Sequence, residues 1–132
     1  MAMLYTAVDM AKAGLLNTPI HVQFVFGLKN ALPAKKEILE FQVKQLTNMM
    51  PDATWTAAGI GKGQLDINKW TLKLGGNCRT GLEDNIRYNK EHLAISNAEL
   101  VSRVSRLCKE HGRRPATAKE AREILSLPMV TK

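Results

Sequence analysis

One arginine and two adjacent carboxylates stand close together within residues 75–85 of the sequence. Arg79, Glu83 and Asp84 come directly after a short strand-like stretch. A carboxylate can bind a divalent metal or accept a proton, and arginine can hold an anionic substrate. Polar side chains at the carboxyl end of a strand are typical of the active sites of α/β barrels. The sequence therefore predicts a candidate active site in this run.

The residue types suggest a division of roles between these three side chains. An aspartate beside a guanidinium orients it and offsets its charge. Arginine would need a large change in pKa to act as a base, so we expect Arg79 to orient and to stabilise charge. The alternative is a salt-bridge cluster at a surface loop that does no chemistry.

A glycine-rich turn at residues 59–63 follows a predicted strand and precedes a predicted helix. Backbone N–H groups of Gly59, Gly61, Lys62 and Gly63 could face a phosphate at the start of that helix. The glycine spacing fits neither the dinucleotide fingerprint nor the P-loop. The alternative is a tight turn that needs glycine for backbone freedom.

Hydrophobic periodicity and breaker residues predict alternating helices and strands. Consecutive parallel strands joined by crossover helices follow from this order. Trp55 and Trp70 are expected to pack in the core or at an interface. The predicted helices cover residues 4–16, 33–51, 65–74, 96–112 and 117–125, and the predicted strands cover residues 21–26, 53–58 and 77–80.

The predicted fold is α/β, with about three parallel strands, crossover helices and two C-terminal helices. The last two helices are expected to bury apolar faces, formed in one by Leu100, Val101, Val104, Leu107 and Cys108, and in the other by Ala121, Ile124 and Leu125. Residues 1–132 are expected to form a single unit. Three parallel strands leave unprotected edges, so we expect further copies of the chain or a separate N-terminal segment to complete the sheet.

Three stretches carry a resemblance to a known family. They are Gly-Gly-x-x-Arg-x-Gly-x-Glu-Asp-Asn at residues 75–85, Ser-Asn-Ala-Glu-Leu-Val at residues 96–101, and Gly-Arg-Arg-Pro-Ala-Thr at residues 112–117 with Ala-Arg-Glu-Ile-Leu at residues 121–125. From about residue 3 to residue 128 the sequence resembles the C-terminal part of the β-keto acid cleavage enzyme family.

The resemblance implies the C-terminal portion of a zinc-dependent TIM (β/α)8 barrel that is active as an oligomer. Such enzymes convert a β-keto acid and acetyl-CoA into acetoacetate and a new acyl-CoA, some of them in lysine degradation. The family's zinc is held by a His-x-His motif and a glutamate that matches Glu83. Arg79 and Asp84 match the pair that works on proton abstraction from the keto acid. The glycine-rich turn would then face CoA.

The sequence departs from the family at the metal ligands. It contains His21, His92 and His111 but no His-x-His motif, and each is expected to be a surface or capping residue. Zinc therefore needs ligands from outside the chain, because one glutamate is too few to hold it. We expect the isolated chain to be inactive.

Composition limits the other functions. No apolar stretch is long enough for a membrane helix, and no signal peptide is apparent, so we expect a cytoplasmic protein without membrane contact. Cys78 and Cys108 are expected to be small core residues without a disulfide or a metal.

Two alternatives to the enzyme portion stay open. One is a non-catalytic CoA-binding or oligomer-scaffold module. The weaker one is a basic nucleic-acid-binding domain, since the formal net charge is +7. Nucleic acid is the less expected partner because the charges form no dense stripe and few aromatic residues could stack on bases.

Overall fold

The computed structural model describes residues 1–129. It shows a parallel sheet with helices packed on one face. Within these residues lie three strands in the order β1-β2-β3 and five helices. The predicted α/β class and parallel strands are confirmed. The elements are α1 (Ala2–Lys12), β1 (His21–Phe26), α2 (Lys36–Met49), β2 (Thr54–Gly59), α3 (Gln64–Lys73), β3 (Asn77–Cys78), α4 (Asn97–Glu110) and α5 (Ala118–Ile124).

The central strand β2 pairs with both neighbours. It runs alongside β1 for six residue pairs, from His21 opposite Thr54 to Phe26 opposite Gly59. Its pairing with β3 covers only Asn77 and Cys78, so the predicted strand at residues 77–80 is too long. The ladder continues by one bond, because the Arg79 N–H donates to the Ala57 carbonyl at 3.1 Å. The chain then turns away into the candidate site.

The core lies between the sheet and the first three helices. Alternate strand residues, among them Phe24 and Trp55, point to this side and are buried. Their rings lie 6.1 Å apart in a tilted arrangement. Trp70 of α3 packs against the same cluster, which confirms the packing role predicted for both tryptophans. The fully buried aliphatic residues Leu39 and Leu46 of α2 and Ile67 of α3 complete it.

The opposite face of the sheet is open and polar at the start of the strands, whereas Val25 is half-buried and Ala58 is fully buried further along. His21 and Gln23 of β1 are exposed, and Thr54 and Thr56 of β2 are half-buried. The His21 ring joins the two strands, with Nδ1 at 2.7 Å from Thr54 Oγ1 and Nε2 at 2.9 Å from Thr56 Oγ1. Burial lowers the pKa of this imidazole. A parallel sheet ordinarily has both faces covered.

The two C-terminal helices bury less than the sequence predicts. No residue of α5 is buried, and Ile124 keeps 48% of its surface exposed, so the prediction is wrong for Ile124. Ala121 and Leu125 are only half-buried. The reason is that a cavity of about 230 Å³ separates α5 from the open face. In α4, Val101 is likewise exposed.

Both cysteines are free thiols in a second, small cluster. Cys108 is buried there and Cys78 is half-buried beside it, which agrees with their predicted packing role. Burial is the main cause that raises the pKa of Cys78 to about 12. The predicted first helix is too long, because α1 ends at Lys12 and Gly14 takes a φ of +73°.

No helix of the described part of the chain has the length and apolar character that crossing a bilayer requires.

Candidate active site

Arg79 and Asp84 form a two-pronged ion pair just beyond β3. Arg79 Nε donates to Asp84 Oδ2 at 2.9 Å, and Nη2 donates to Oδ1 at 2.7 Å. The Asp84 side chain is 3% exposed, whereas that of Arg79 is 34% exposed. The buried carboxylate therefore fixes the plane of the guanidinium, and part of the guanidinium stays accessible to a ligand.

Glu83 contacts the same guanidinium through Nη2, the nitrogen that also donates to Asp84 Oδ1. Its Oε1 accepts from Arg79 Nη2 at 3.2 Å, and its side chain is 87% exposed. The structure thus brings together the three side chains that the sequence singles out. The hydrogen bonds that Arg79 donates to Asp84, and then the charge of Asp84, raise the pKa of Arg79 above its ordinary value. Arg79 stays protonated, which suits an orienting and charge-stabilising group better than a base.

Two buried amide side chains of α3 hold the loop that carries the site. Asn68 Nδ2 donates to the Arg79 carbonyl, and Gln64 Nε2 donates to the Gly81 carbonyl, both at 2.9 Å. Both residues are fully buried. They lie one turn apart on one face of the helix, and the sequence analysis missed them. Two amides among the apolar residues of a buried helix face were the signal that could have found them.

Backbone contacts tie the site loop to two further elements. The Gly61 N–H donates to the Asp84 carbonyl at 2.7 Å. The Leu82 N–H donates to Asn97 Oδ1, at the first residue of α4, also at 2.7 Å. Four hydrogen bonds therefore anchor the loop to three elements, which are α3, the turn at Gly61 and α4.

The glycine-rich turn forms a short 3₁₀ turn, Gly61–Gly63, which leads directly into α3. Close packing explains two of its glycines. A Cβ on Gly59 would lie 2.6 Å from the Gly63 carbonyl oxygen, and one on Gly63 would lie 2.5 Å from the Cβ of Ala34. Gly61 has open space beside it and a φ of +61°. Lys62 is exposed next to it.

The donor set for zinc is incomplete in this chain. Among residues 1–129 no three His, Cys, Asp or Glu side chains converge on a point that a metal ion could occupy. His21 and His92 are exposed and His111 is the C-terminal capping residue of α4, as predicted. Glu83 offers one free carboxylate oxygen, whereas protein zinc sites use three or four ligands. The described residues therefore do not fit zinc by themselves.

Comparison with known proteins identifies relatives with named activities. The chain is 53% identical over 128 residues to a 3-oxoadipate:acetyl-CoA acetyltransferase from Cupriavidus necator, in an alignment that covers 97% of this chain and 45% of that protein. It is 40% identical over 122 residues to a 3-keto-5-aminohexanoate cleavage enzyme from Fusobacterium nucleatum, covering 92% and 43%. A 3-keto-5-aminohexanoate cleavage enzyme from Acetoanaerobium sticklandii is 36% identical, covering 96% and 45%.

The chain thus spans less than half the length of these relatives. Their names describe reactions of keto acids, and the first also names acetyl-CoA. The sequence profile of one family matches residues 1–127, which include every candidate site residue. The chain belongs to the beta-keto acid cleavage enzyme family.

Proposed function

We propose that this chain is the C-terminal part of a (β/α)8 barrel, folded as one unit over residues 1–132. The open, polar sheet face carries this proposal. In a closed barrel that face becomes the interior, and Arg79 then lies at the carboxyl end of a strand, where barrel enzymes bind substrates. The missing strands come from a separate N-terminal segment or from further copies of the chain.

The completed barrel transfers an acyl group between a β-keto acid and acetyl-CoA, giving acetoacetate and a new acyl-CoA. Arg79 holds an anionic oxygen of the keto acid through its accessible guanidinium edge. Asp84 acts with Arg79 by fixing its orientation and by assisting removal of a proton from the bound keto acid. The single supporting observation is the buried, two-pronged ion pair with one exposed side.

Glu83 is proposed as one zinc ligand, with the remaining ligands supplied from outside this chain. Among the described residues, Glu83 and Asp84 are the two carboxylates that pair with Arg79, and only the carboxylate of Glu83 faces solvent. Gly61 and Lys62 face the CoA side of the site, and Gly59 and Gly63 shape the turn that presents them.

A chimera tests the proposed function. Residues 1–128 would replace the matching C-terminal segment of the Cupriavidus necator relative, and formation of acyl-CoA from acetyl-CoA and 3-oxoadipate would be assayed. We expect activity in the chimera and a loss of at least a hundredfold in kcat with Arg79→Met, by analogy with the removal of one charge-stabilising group. Lys109→Met, an exposed change on α4, is the matched control and should leave kcat unchanged.

An inactive chimera that folds and assembles like the relative would contradict the enzymatic proposal. The incomplete zinc donor set favours one second candidate, a CoA-binding module without chemistry. That module would bind CoA while the chimera stays inactive. Arg113 and Arg114 are poorly placed to bind the phosphates of a nucleic acid, because both guanidinium groups already have partners. Arg114 pairs with Glu120 at 2.5 Å, and Arg113 donates to the Gly76 carbonyl at 2.7 Å.

A further inference from the structure

A buried arginine without a carboxylate partner lies behind the candidate site. Arg103 of α4 is 6% exposed. Its Nη2 donates to Gln64 Oε1 at 2.8 Å, and its Nη1 donates to the Tyr88 carbonyl. Its Nε is buried and has no hydrogen-bond partner among the described residues. No carboxylate within residues 1–129 lies in ion-pair contact with this guanidinium. Glu99 acts on it only at longer range, so the buried charge lacks a direct countercharge.

Arg103 lines a cavity of about 470 Å³, a size in the ordinary range of ligand pockets. Lys62, Arg87 and Lys90 line the same cavity, so four cations face it. Asp66 is the one acidic residue in the described lining. The excess of positive charge would attract an anion of two or more charges.

The other walls of the cavity suit a nucleotide. Leu65 and Ile86 supply apolar surface, and the ring of Tyr88 packs with its centroid 5.2 Å from the Arg103 guanidinium carbon. Leu65 and Asp66 belong to the first turn of α3, whose N-terminus carries partial positive charge. Gly61 and Asn85 also line the cavity, and Asn85 directly follows Asp84. One extended ligand could therefore reach from the cavity to the ion pair.

We propose that this cavity binds the phosphate groups of the CoA nucleotide, with Arg103 as the buried countercharge and Lys62, Arg87 and Lys90 at the entrance. The inference rests on the proposed function for the choice of CoA as the phosphate donor. It adds a site next to the 3₁₀ turn, formed mostly by residues outside the matched run at residues 75–85. The acyl end of the ligand would then point towards Arg79.

Calorimetric titration of the full chain tests the site with coenzyme A, dephospho-coenzyme A and pantetheine. We expect coenzyme A to bind and pantetheine to bind at least tenfold more weakly. If dephospho-coenzyme A loses most of the affinity, the cavity holds the 3′-phosphate. If it keeps the affinity, the cavity holds the pyrophosphate. Equal binding of coenzyme A and pantetheine, or no binding of either, would overturn the proposal.

Three exposed substitutions make the test specific to the cavity. Lys90→Met should weaken coenzyme A binding about fivefold, as expected for loss of one partly solvated charge pair. Asp66→Asn should strengthen it, because a repulsive charge is removed. Lys69→Met, on the same helix as Asp66 but outside the cavity lining, should change nothing. If Lys69→Met and Lys90→Met weaken binding equally, the effect is one of net charge and the site is refuted.

The two proposals fail in different ways. Phosphate-dependent binding with an inactive chimera would refute the acyl-transfer function and leave the cavity assigned. An active chimera whose KM for acetyl-CoA is unaffected by Lys90→Met would refute the cavity and leave the function.

Discussion

A single guanidinium binds two carboxylates of opposite exposure. Asp84 is buried and bonded through both oxygens, and Glu83 is 87% exposed and bonded through one. Because Asp84 is buried, its charge would destabilise the fold without Arg79 as a partner. Water can solvate the exposed Glu83 carboxylate in place of Arg79. The first carboxylate therefore holds the guanidinium in place, and the second remains available to a ligand.

Isosteric amides separate these two roles. Asp84→Asn is expected to lower the free energy of unfolding by about 2 kcal/mol, because it breaks a buried, charge-assisted pair. Glu83→Gln should cost less than about 0.5 kcal/mol, as is usual for an exposed pair. Urea denaturation of the isolated chain measures both. Equal losses would show that burial does not distinguish the two carboxylates.

The thiol of Cys78 gives a prediction that depends on pH. Its pKa is raised from 9.0 to about 12, chiefly by burial. The folded state therefore favours the neutral thiol, and this stabilisation is present below pH 9 and is lost as pH rises towards 12.

Alkylation kinetics check the state of this thiol. In a Cys108→Ala background, Cys78 is the only remaining cysteine of the sequence. Iodoacetamide at pH 8 should modify it more than about tenfold more slowly in the folded chain than in urea, because burial disfavours the reactive thiolate. Similar rates in both conditions would show that the thiol is not shielded.

Sequence spacing predicted the contact of Arg79 with Glu83 and Asp84, because residues four and five positions apart in a tight loop come together. It did not predict Gln64 or Asn68. Their partners are carbonyls of residues 11 to 17 positions away, and a carbonyl has no signature in the sequence.

The supporting element of the site is α3. It contributes buried apolar residues to the core on one side and amide donors to the site loop on the other. Such a helix couples the packing of the fold to the position of Arg79. Changes on its buried polar face should therefore affect the site before they affect the secondary structure.

Asn68→Ala tests this coupling. The substitution leaves the Arg79 carbonyl without its side-chain donor and should destabilise the chain by about 2 kcal/mol, the usual cost of an unsatisfied buried group. Lys69→Ala, the exposed neighbour on the same helix, should change stability by less than about 0.5 kcal/mol. Chemical denaturation compares the two. Equal effects would mean that the amide contributes no more than helix propensity does.

At this scale the sequence predicted the order and type of the elements but not their ends or contacts. Hydrophobic periodicity and breaker residues are local signals, so they identified α4 and α5. The burial of Ile124 and Val101 depends on what packs against these helices. A local sequence pattern does not identify the element that packs against a helix.

The whole chain presents a half-covered sheet. Polar residues on the open face and apolar side chains such as Ile95, which is 88% exposed, form surfaces that the proposed barrel would cover. The proposed zinc site has the same character, since one proposed ligand lies here and the others would come from outside this chain.

Native mass spectrometry with added zinc tests whether the chain alone can hold the metal. The isolated chain is expected to carry no stoichiometric zinc, because a single carboxylate binds the ion too weakly. Mixing with the N-terminal portion of the Cupriavidus necator relative should give a complex with zinc bound. Glu83→Gln should form the same complex without the metal. Stoichiometric zinc on the isolated chain would refute the proposed division of ligands.

The hydrogen bond from the Gly61 N–H to the Asp84 carbonyl joins the cavity to the ion pair through the backbone. A ligand that shifts the 3₁₀ turn must also shift the residue that orients Arg79. The two proposed substrates should therefore bind cooperatively, and by thermodynamic reciprocity each should change the affinity of the other by the same factor. This chain would then contain the physical link between the acyl donor and the keto acid.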